Sequence, residues 1–273
     1  ALGHDARLIS PQFVKPYVKT NKNDFNDAEA ICEAATRPQM RFVPLKSIEQ
    51  QDIQAVHRVR QLLVQLRTAL VNQTRGLLRE YGVFIPAGIR QFRHAMPGVL
   101  EDAENELTDL TRQLMADLYQ RLLELDQQIA DYERRIQGLS RERPVCQRME
   151  KVEGVGVLTA TALMATVGDA KVFKNGRQMS AWLGLGPRQH SSGEDNRLFG
   201  ISKRGDTYVR SLLIHGARSV LLRCKHKTDP KSRWLQRLIE RRGFNRACVA
   251  LANKNARTLW ALMAHGEDYR LAA

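Results

Sequence analysis

"SIEQQDIQAVHRVRQLLVQLRTALVNQTRGLLREY", residues 47–81, sets apolar side chains at Val56, Val59, Leu63, Leu66, Leu70 and Leu77. That three–four alternation predicts one long helix over about 47–81. Gly82, Pro86 and Gly88 then break it. A second seam, through Leu107, Leu110, Leu114, Leu118, Leu122, Leu125, Ile129, Tyr132 and Ile136, predicts another long helix over roughly 99–138. The extra residue between Leu114 and Leu122 reads as a stutter. Two such helices joined by a Pro/Gly loop form an antiparallel coiled-coil hairpin, or else seek a partner copy. A leucine seam by itself speaks for packing rather than chemistry. The expected fold is mainly α.

Charge separates the second long helix from the last quarter of the chain. The 273 residues hold 43 Lys plus Arg against 29 Asp plus Glu, a formal net charge of +14. An excess of that size points to a polyanionic partner, most often nucleic acid, with a ribosome-like or merely soluble basic protein as the alternative. Residues 99–140 carry ten acids and four bases, whereas residues 201–273 carry sixteen bases and five acids. In the latter stretch Lys225, Lys227, Lys231, Arg233, Arg237, Arg241 and Arg242 crowd together, with Trp234, Phe244 and Trp260 interleaved. The run is either a solvated helix face or, given the aromatics, a nucleic-acid surface. No apolar run approaches the length of a membrane span, and no segment resembles a signal peptide. Cys32, Cys146, Cys224 and Cys248 lie far apart without C-x-x-C spacing, as ordinary thiols of a reducing cytosol do. The chain opens at Ala1 within a strand-like "ARLIS", without an initiator Met, and is expected to continue upstream.

Three shorter segments carry the candidate chemistry. "KTNKNDFNDAEAI" (19–31) places Asp24 and Asp27 three residues apart at the mouth of a helix predicted over 24–36 and stopped by Pro38. Like charges at that spacing repel, so a lysine or a metal ion is expected between them. "VEGVGVLTATALMATVGDAKVF" (152–173) is a Gly-x-Gly turn before an Ala/Thr-rich helix, in which Gly154 and Gly156 let the backbone approach a phosphate. It fits a helix–hairpin–helix element or a plain glycine turn. "WLGLGPRQHSSGEDNRLFGISKRGDTYVRSLLIHGA" (182–217) holds Ser191 and Ser192 in a Gly/Pro-broken stretch, then "SKRGD", then an amphipathic helix from about Thr207. A serine there is compatible with a nucleophile at phosphorus if cations offset the diester charge, or with a common solvent loop.

"VKPYVKTNKNDFNDAEAICEA", "RPQMRFVPLKS" and "GLGPRQHSSGEDNRLFGISKRGDTYVRSLLIHGAR" together resemble the DEDD-type insertion-sequence transposases of the IS110 family, nearest its IS1111 group. The resemblance runs over nearly the whole chain and in the right order. It implies a RuvC-like (RNase H fold) α/β part, here truncated, over 1–46, then the coiled-coil hairpin over 47–140. A helical, serine-carrying transposase domain with a helix–hairpin–helix-like element follows over 141–273. It implies that Asp24 and Asp27 are the last two of four metal-binding acids and share Mg2+. The first two acids would precede Ala1, since neither His4 nor Asp5 matches them. It further implies that Ser192, not Ser191, attacks the scissile phosphodiester and forms a phosphoserine link. A structured RNA from the element would join target and donor DNA.

Lys203, Arg204 and Arg210, which follow the serine loop, are candidate phosphate contacts, as are Lys225, Lys227 and Arg233. His190, two residues before Ser192, is either a general base or an incidental loop residue, and the second reading is favoured because the family pattern does not demand a histidine there. The resulting expectation is a DNA transposase, homo-oligomeric through its coiled coil, cytoplasmic and nucleoid-associated. A Mg2+-dependent nuclease of the Holliday-junction type and an inactive helix–hairpin–helix remnant are the alternatives.

Overall fold

The computed structural model describes residues 3–40, 42–193 and 195–269. Two compact units divide the chain, Ala1–Glu49 and Gln50–Ala273. In the first, β1 (Leu8–Ile9) pairs antiparallel with β2 (Phe42–Val43), and α1 (Pro11–Val14) precedes α2 (Asp24–Thr36). The α2 helix begins where the sequence says it should. Asn23 has an extended backbone, and its side chain accepts a 2.7 Å hydrogen bond from the Asn26 amide, satisfying a donor of the first turn. It ends at Arg37, which turns extended before Pro38 as a residue preceding proline prefers.

In the second unit the chain is mainly helical. The first long helix, α3 (Ile48–Glu80), lies where its spacing predicts. The second does not begin at 99: residues 89–101 form a separate helix, α4 (Ile89–Glu101), and α5 runs over Asp109–Arg141. Thr108 caps α5 by accepting a 3.2 Å hydrogen bond from the Thr111 amide. The α4 helix is short and carries Pro97, which hides it from a periodicity search, yet its Phe92 and Met96 are fully buried.

The inward face of α3 is one residue out of phase with the leucine seam. Ile53, His57, Val71, Thr74 and Leu78 are buried, while Val59, Leu66 and Leu77 are exposed. Between the two buried blocks the inward positions belong to Arg60 and Arg67, which pair with Glu133 and Asp126 of α5. The two bridges step one heptad forward on α3 and one heptad back on α5, so the helices run antiparallel. Arg93 of α4 shares Asp126. On α5, Thr111, Met115, Leu122, Leu125, Ile129 and Ile136 are buried and Leu110 and Leu114 are exposed. From Thr111 through the half-buried Leu118 the three–four spacing is unbroken, so the expected stutter is absent.

The rest of the unit comprises α6 (Pro144–Glu150), α7 (Val157–Val167), α8 (Gly176–Trp182), a hairpin of β3 (Pro187–Ser192) and β4 (Asp195–Ile201), α9 (Thr207–Arg223), α10 (Pro230–Arg242) and α11 (Phe244–His265). Met149, Leu163, Met179, Leu183, Leu213, Leu251 and Leu259 fill their common core. Gly154 and Gly216 make its closest backbone approach. A Cβ on Gly154 would stand 2.9 Å from the Gly216 carbonyl oxygen, and Gly154 also holds φ +85°, where an L side chain is strained.

His57 ties α3 to this core. Its Nε2 lies 2.9 Å from the Thr161 hydroxyl of α7 and its Nδ1 3.0 Å from the Tyr208 hydroxyl of α9. Thr161 donates to the Val157 carbonyl, so it accepts from Nε2–H, and Tyr208 donates to Nδ1. The bond that Nδ1 accepts from Tyr208 requires the neutral ring. Burial, with Arg60 nearby, lowers the His57 pKa to about 4. A folded pKa below the unfolded one makes its contribution complete above about pH 6.5 and lost as pH falls toward 4, roughly 3 kcal/mol in all. Urea unfolding followed across that window is expected to show the loss, and His57→Gln to flatten it.

Candidate active site

The serine-bearing segment is not a loop. Ser192 ends β3, and the register pairs Ser192 with Asp195, Ser191 with Asn196, and His190 with Arg197. Residues 187–193 and 195–200 of this ribbon are exposed. Strand alternation divides its side chains into two faces. On one face Gln189 donates to the Ser191 hydroxyl at 2.8 Å, and Ser191 donates to the Asn196 side-chain oxygen at 2.9 Å. Ser192 is on the other face with His190, Asp195 and Arg197. Among the described residues its hydroxyl has no hydrogen-bond partner.

The ribbon rises from a rigid base. Residues 182–186 and 202–205 lie against each other, joined by bonds from the Ser202 amide to the Gly186 carbonyl (2.8 Å) and from the Lys203 amide to the Gly184 carbonyl (3.1 Å). Gly184 and Gly205 have φ +75° and +77°, and a Cβ on either would overlap backbone of the opposite segment. Arg210 locks the pair from below. Its Nη1 donates to the carbonyls of Leu183 (3.1 Å) and Arg204 (2.8 Å), and its Nη2 to the Thr207 hydroxyl (3.1 Å). This corrects the expectation for Arg210: it is 7% exposed and its donors face inward, so it is not a phosphate contact. Lys203 and Arg204 are exposed beside the ribbon's base. Lys203 has φ +56°, the sole non-glycine residue with positive φ among the described residues.

The other cations lie elsewhere on the unit. Lys225 and Arg233 are exposed. Lys227 and Lys231 reach Glu153 of the glycine turn at 3.4 and 2.9 Å, and the hydrogen bond from Lys231 holds the Glu153 carboxyl below its usual range. Arg233, Arg237 and Arg241 recur every four residues along α10 and are exposed, a stripe for which the i, i+4 spacing is the signal. The aromatics do not interleave with it as a nucleic-acid surface. Trp234, Phe244 and Trp260 pack against the core, and the Trp260 indole donates to the Ala170 carbonyl at 3.0 Å. Gly154 is glycine because α9 touches it, whereas Gly156, which precedes α7, faces open space.

In the first unit Asp24 is exposed and Asp27 half-buried, both in the first turn of α2. Acids there complement the helix dipole, which already offsets part of their repulsion. Their oxygens also suit a hard cation that keeps most of its waters and shares one or two carboxylates with phosphate. Among the described residues no group of three or more His, Cys, Asp or Glu is placed to hold a metal.

Residues 146–233 match the model of the "Transposase IS116/IS110/IS902 family", and residues 4–83 match the DEDD transposase model of IS110. The chain is 52% identical over 272 residues to the transposase for insertion sequence element IS1111A of Coxiella burnetii, covering 100% of this chain and 75% of that protein. It is 54% identical over 273 residues to a probable family 20 transposase of Pseudomonas aeruginosa, covering 98% and 80%. To the transposase for IS1328 of Yersinia enterocolitica it is 40% identical over 265 residues, covering 97% and 78%. The chain belongs to the IS110 family of insertion-sequence transposases.

Arg210→Ala would take the donor from the buried Leu183 carbonyl and the part-buried Arg204 carbonyl and is expected to lower unfolding free energy by about 1–3 kcal/mol. Arg210→Lys, with one ammonium in place of a fork, should fall between the two in denaturant titrations.

Proposed function

We propose that this transposase cuts and rejoins DNA through a covalent link to Ser192. The observation that carries the reading is the exposure of Ser192 on a rigidly based ribbon, on the face opposite the hydrogen-bonded Ser191. Attack by Oγ on a phosphodiester forms a phosphoserine ester and releases one strand's hydroxyl, so the bond energy is kept for rejoining. Lys203 and Arg204 stand beside the ribbon, where their charge opposes that of the diester. Asp24 and Asp27 would hold Mg2+ within a RuvC-like part spanning 1–46; such an ion polarises phosphate oxygens.

The antiparallel pair α3 and α5 would serve as a coiled coil over 47–140. Its exposed apolar residues, Val59, Leu62, Leu66 and Leu77 on α3 and Leu110, Leu114 and Leu123 on α5, suit a second copy of the chain. The α10 stripe, with Lys225, would hold phosphates of DNA or of a guide RNA, and Gly156 would contribute a backbone approach within the 141–273 domain. No helix among the described residues is long and apolar enough to cross a membrane, and binding to chromosomal DNA would place the protein with the nucleoid.

A nicked suicide substrate bearing the element end, incubated with the full-length protein and Mg2+, tests the nucleophile. Wild type and Ser191→Ala are expected to yield a denaturation-resistant protein–DNA adduct. Ser192→Ala is expected to yield none, and Asp24→Asn or Asp27→Asn to bind DNA yet leave it uncut. Free cut ends without an adduct would instead identify a metal-dependent nuclease, and binding without any cutting a DNA-binding remnant.

Salt titration addresses the stripe separately. Replacing Arg233, Arg237 and Arg241 by Glu should weaken DNA binding about equally for all sequences. The slope of log affinity against log salt should flatten by roughly one unit for each phosphate that the variant no longer neutralises.

A further inference from the structure

His190 shares the face of Ser192. The two are separated by one residue on β3, about 6.6 Å along a strand, and point to the same side. The imidazole does not hang loose: it meets the Phe199 ring of β4 edge to face, with centroids 5.2 Å apart and planes at 78°. Phe199 is 49% exposed, so this contact orients the ring without burying it. The charged groups on the same face are Arg188 of β3 and Asp195 and Arg197 of β4. Asp195 pairs directly across from Ser192, and Arg197 directly across from His190. Arg197 reaches Asp195 at 3.4 Å. One face of a two-stranded ribbon thus assembles a hydroxyl, an imidazole, a carboxylate and a guanidinium. Its other face spends its polar groups on one another, through Gln189, Ser191 and Asn196.

We infer that His190 is the general base of the Ser192 reaction and that Arg197 is the guanidinium that receives the scissile phosphate. This inference rests on Ser192 as nucleophile. A serine hydroxyl attacks phosphorus poorly until its proton has somewhere to go. As the Oγ–P bond forms and the P–O bond to the departing strand breaks, the hydroxyl proton passes to the unprotonated ring nitrogen of His190. The electron pair of the broken bond leaves on the strand's oxygen, which takes that proton back from the imidazolium. The spacing along the strand suits transfer directly or through one water. Arg197, released from its exposed pairing with Asp195, offers a fork to the diester oxygens.

The test follows adduct formation by the full-length protein on the nicked substrate, as a function of pH, for wild type, His190→Ala, His190→Gln and Arg197→Ala. Binding of the intact substrate is measured in parallel. Wild type should slow toward acid pH, because a protonated ring cannot take the hydroxyl proton. His190→Ala should form adduct roughly 100-fold or more slowly, lose the acid limb and recover partly in added imidazole, while binding is unchanged. His190→Gln should not restore the rate, because a carboxamide takes no proton. Arg197→Ala should slow adduct formation and keep the acid limb. A His190→Ala protein that forms adduct at the wild-type rate with the acid limb intact overturns the assignment of His190 and leaves Ser192 standing. Cutting by wild type with no adduct overturns both.

Discussion

The fork of Arg210 is the constraint on which the serine ribbon depends. Two irregular segments, 182–186 and 202–205, have to lie backbone against backbone for β3 and β4 to start in register. That contact leaves carbonyl oxygens turned into the interior. A buried carbonyl without a donor is destabilising by about 1–3 kcal/mol. One guanidinium nitrogen, Nη1, donates to the Leu183 and Arg204 carbonyls together, while Nη2 holds the group against the Thr207 hydroxyl. Glycine at 184 and 205 is the other half of the arrangement, because neither backbone tolerates a Cβ there. The ribbon's tip can therefore be fully exposed while its direction is set by the core.

Much of the fold is legible in the chain, and the misses share a cause. The bounds of α2 follow from its capping residue and proline stop, and those of α3 from its apolar spacing and the Gly/Pro break beyond it, all of which act locally. The phase of α3 does not, because its inward positions include His57, Arg60, Arg67 and Thr74, polar residues whose partners lie mostly on other helices. An apolar seam search selects the leucines beside them. Arg210 escapes for the same reason: a cation after a basic turn looks solvated until its carbonyl partners are in place. The ribbon is hidden differently, since glycine, proline and serine are turn formers and only cross-strand pairing makes 187–201 a hairpin. Ser192 stands out through family resemblance, and its separation from Ser191 onto opposite faces requires the register.

The distribution of charge has two distinct explanations. Acids on α5 are in part internal to the helical pair, where Asp126 and Glu133 neutralise arginines turned inward from α3 and α4. Such pairs fix register and direction more than they add stability, because desolvation offsets much of their attraction. On α10 the reverse holds. Lys231 and the preceding Lys227 are drawn to Glu153 on one side of the helix, while Arg233, Arg237 and Arg241 face solvent without an acidic partner among the described residues. The basic excess of the chain is thus sorted by helix face into a structural set and an outward set.

A continuous series of contacts joins the helical pair to the base of the ribbon. His57 of α3 accepts from Tyr208, the second residue of α9, and Arg210 lies one residue beyond Val209 on the same turn. Asp206 caps that helix by accepting from the Val209 amide at 2.9 Å, which fixes where α9 starts. The first turn of α9, capped by Asp206, therefore meets two neighbours at once: α3 through Tyr208 and the paired segments through Arg210. Side chains locked by this many directional bonds hold their geometry within narrow limits. The neutral state of His57 is part of that frame, since a protonated ring could not accept from Tyr208 and would put a charge beside Arg60. The start of α9, and with it Arg210, is thus tied to α3 through the neutral ring of His57.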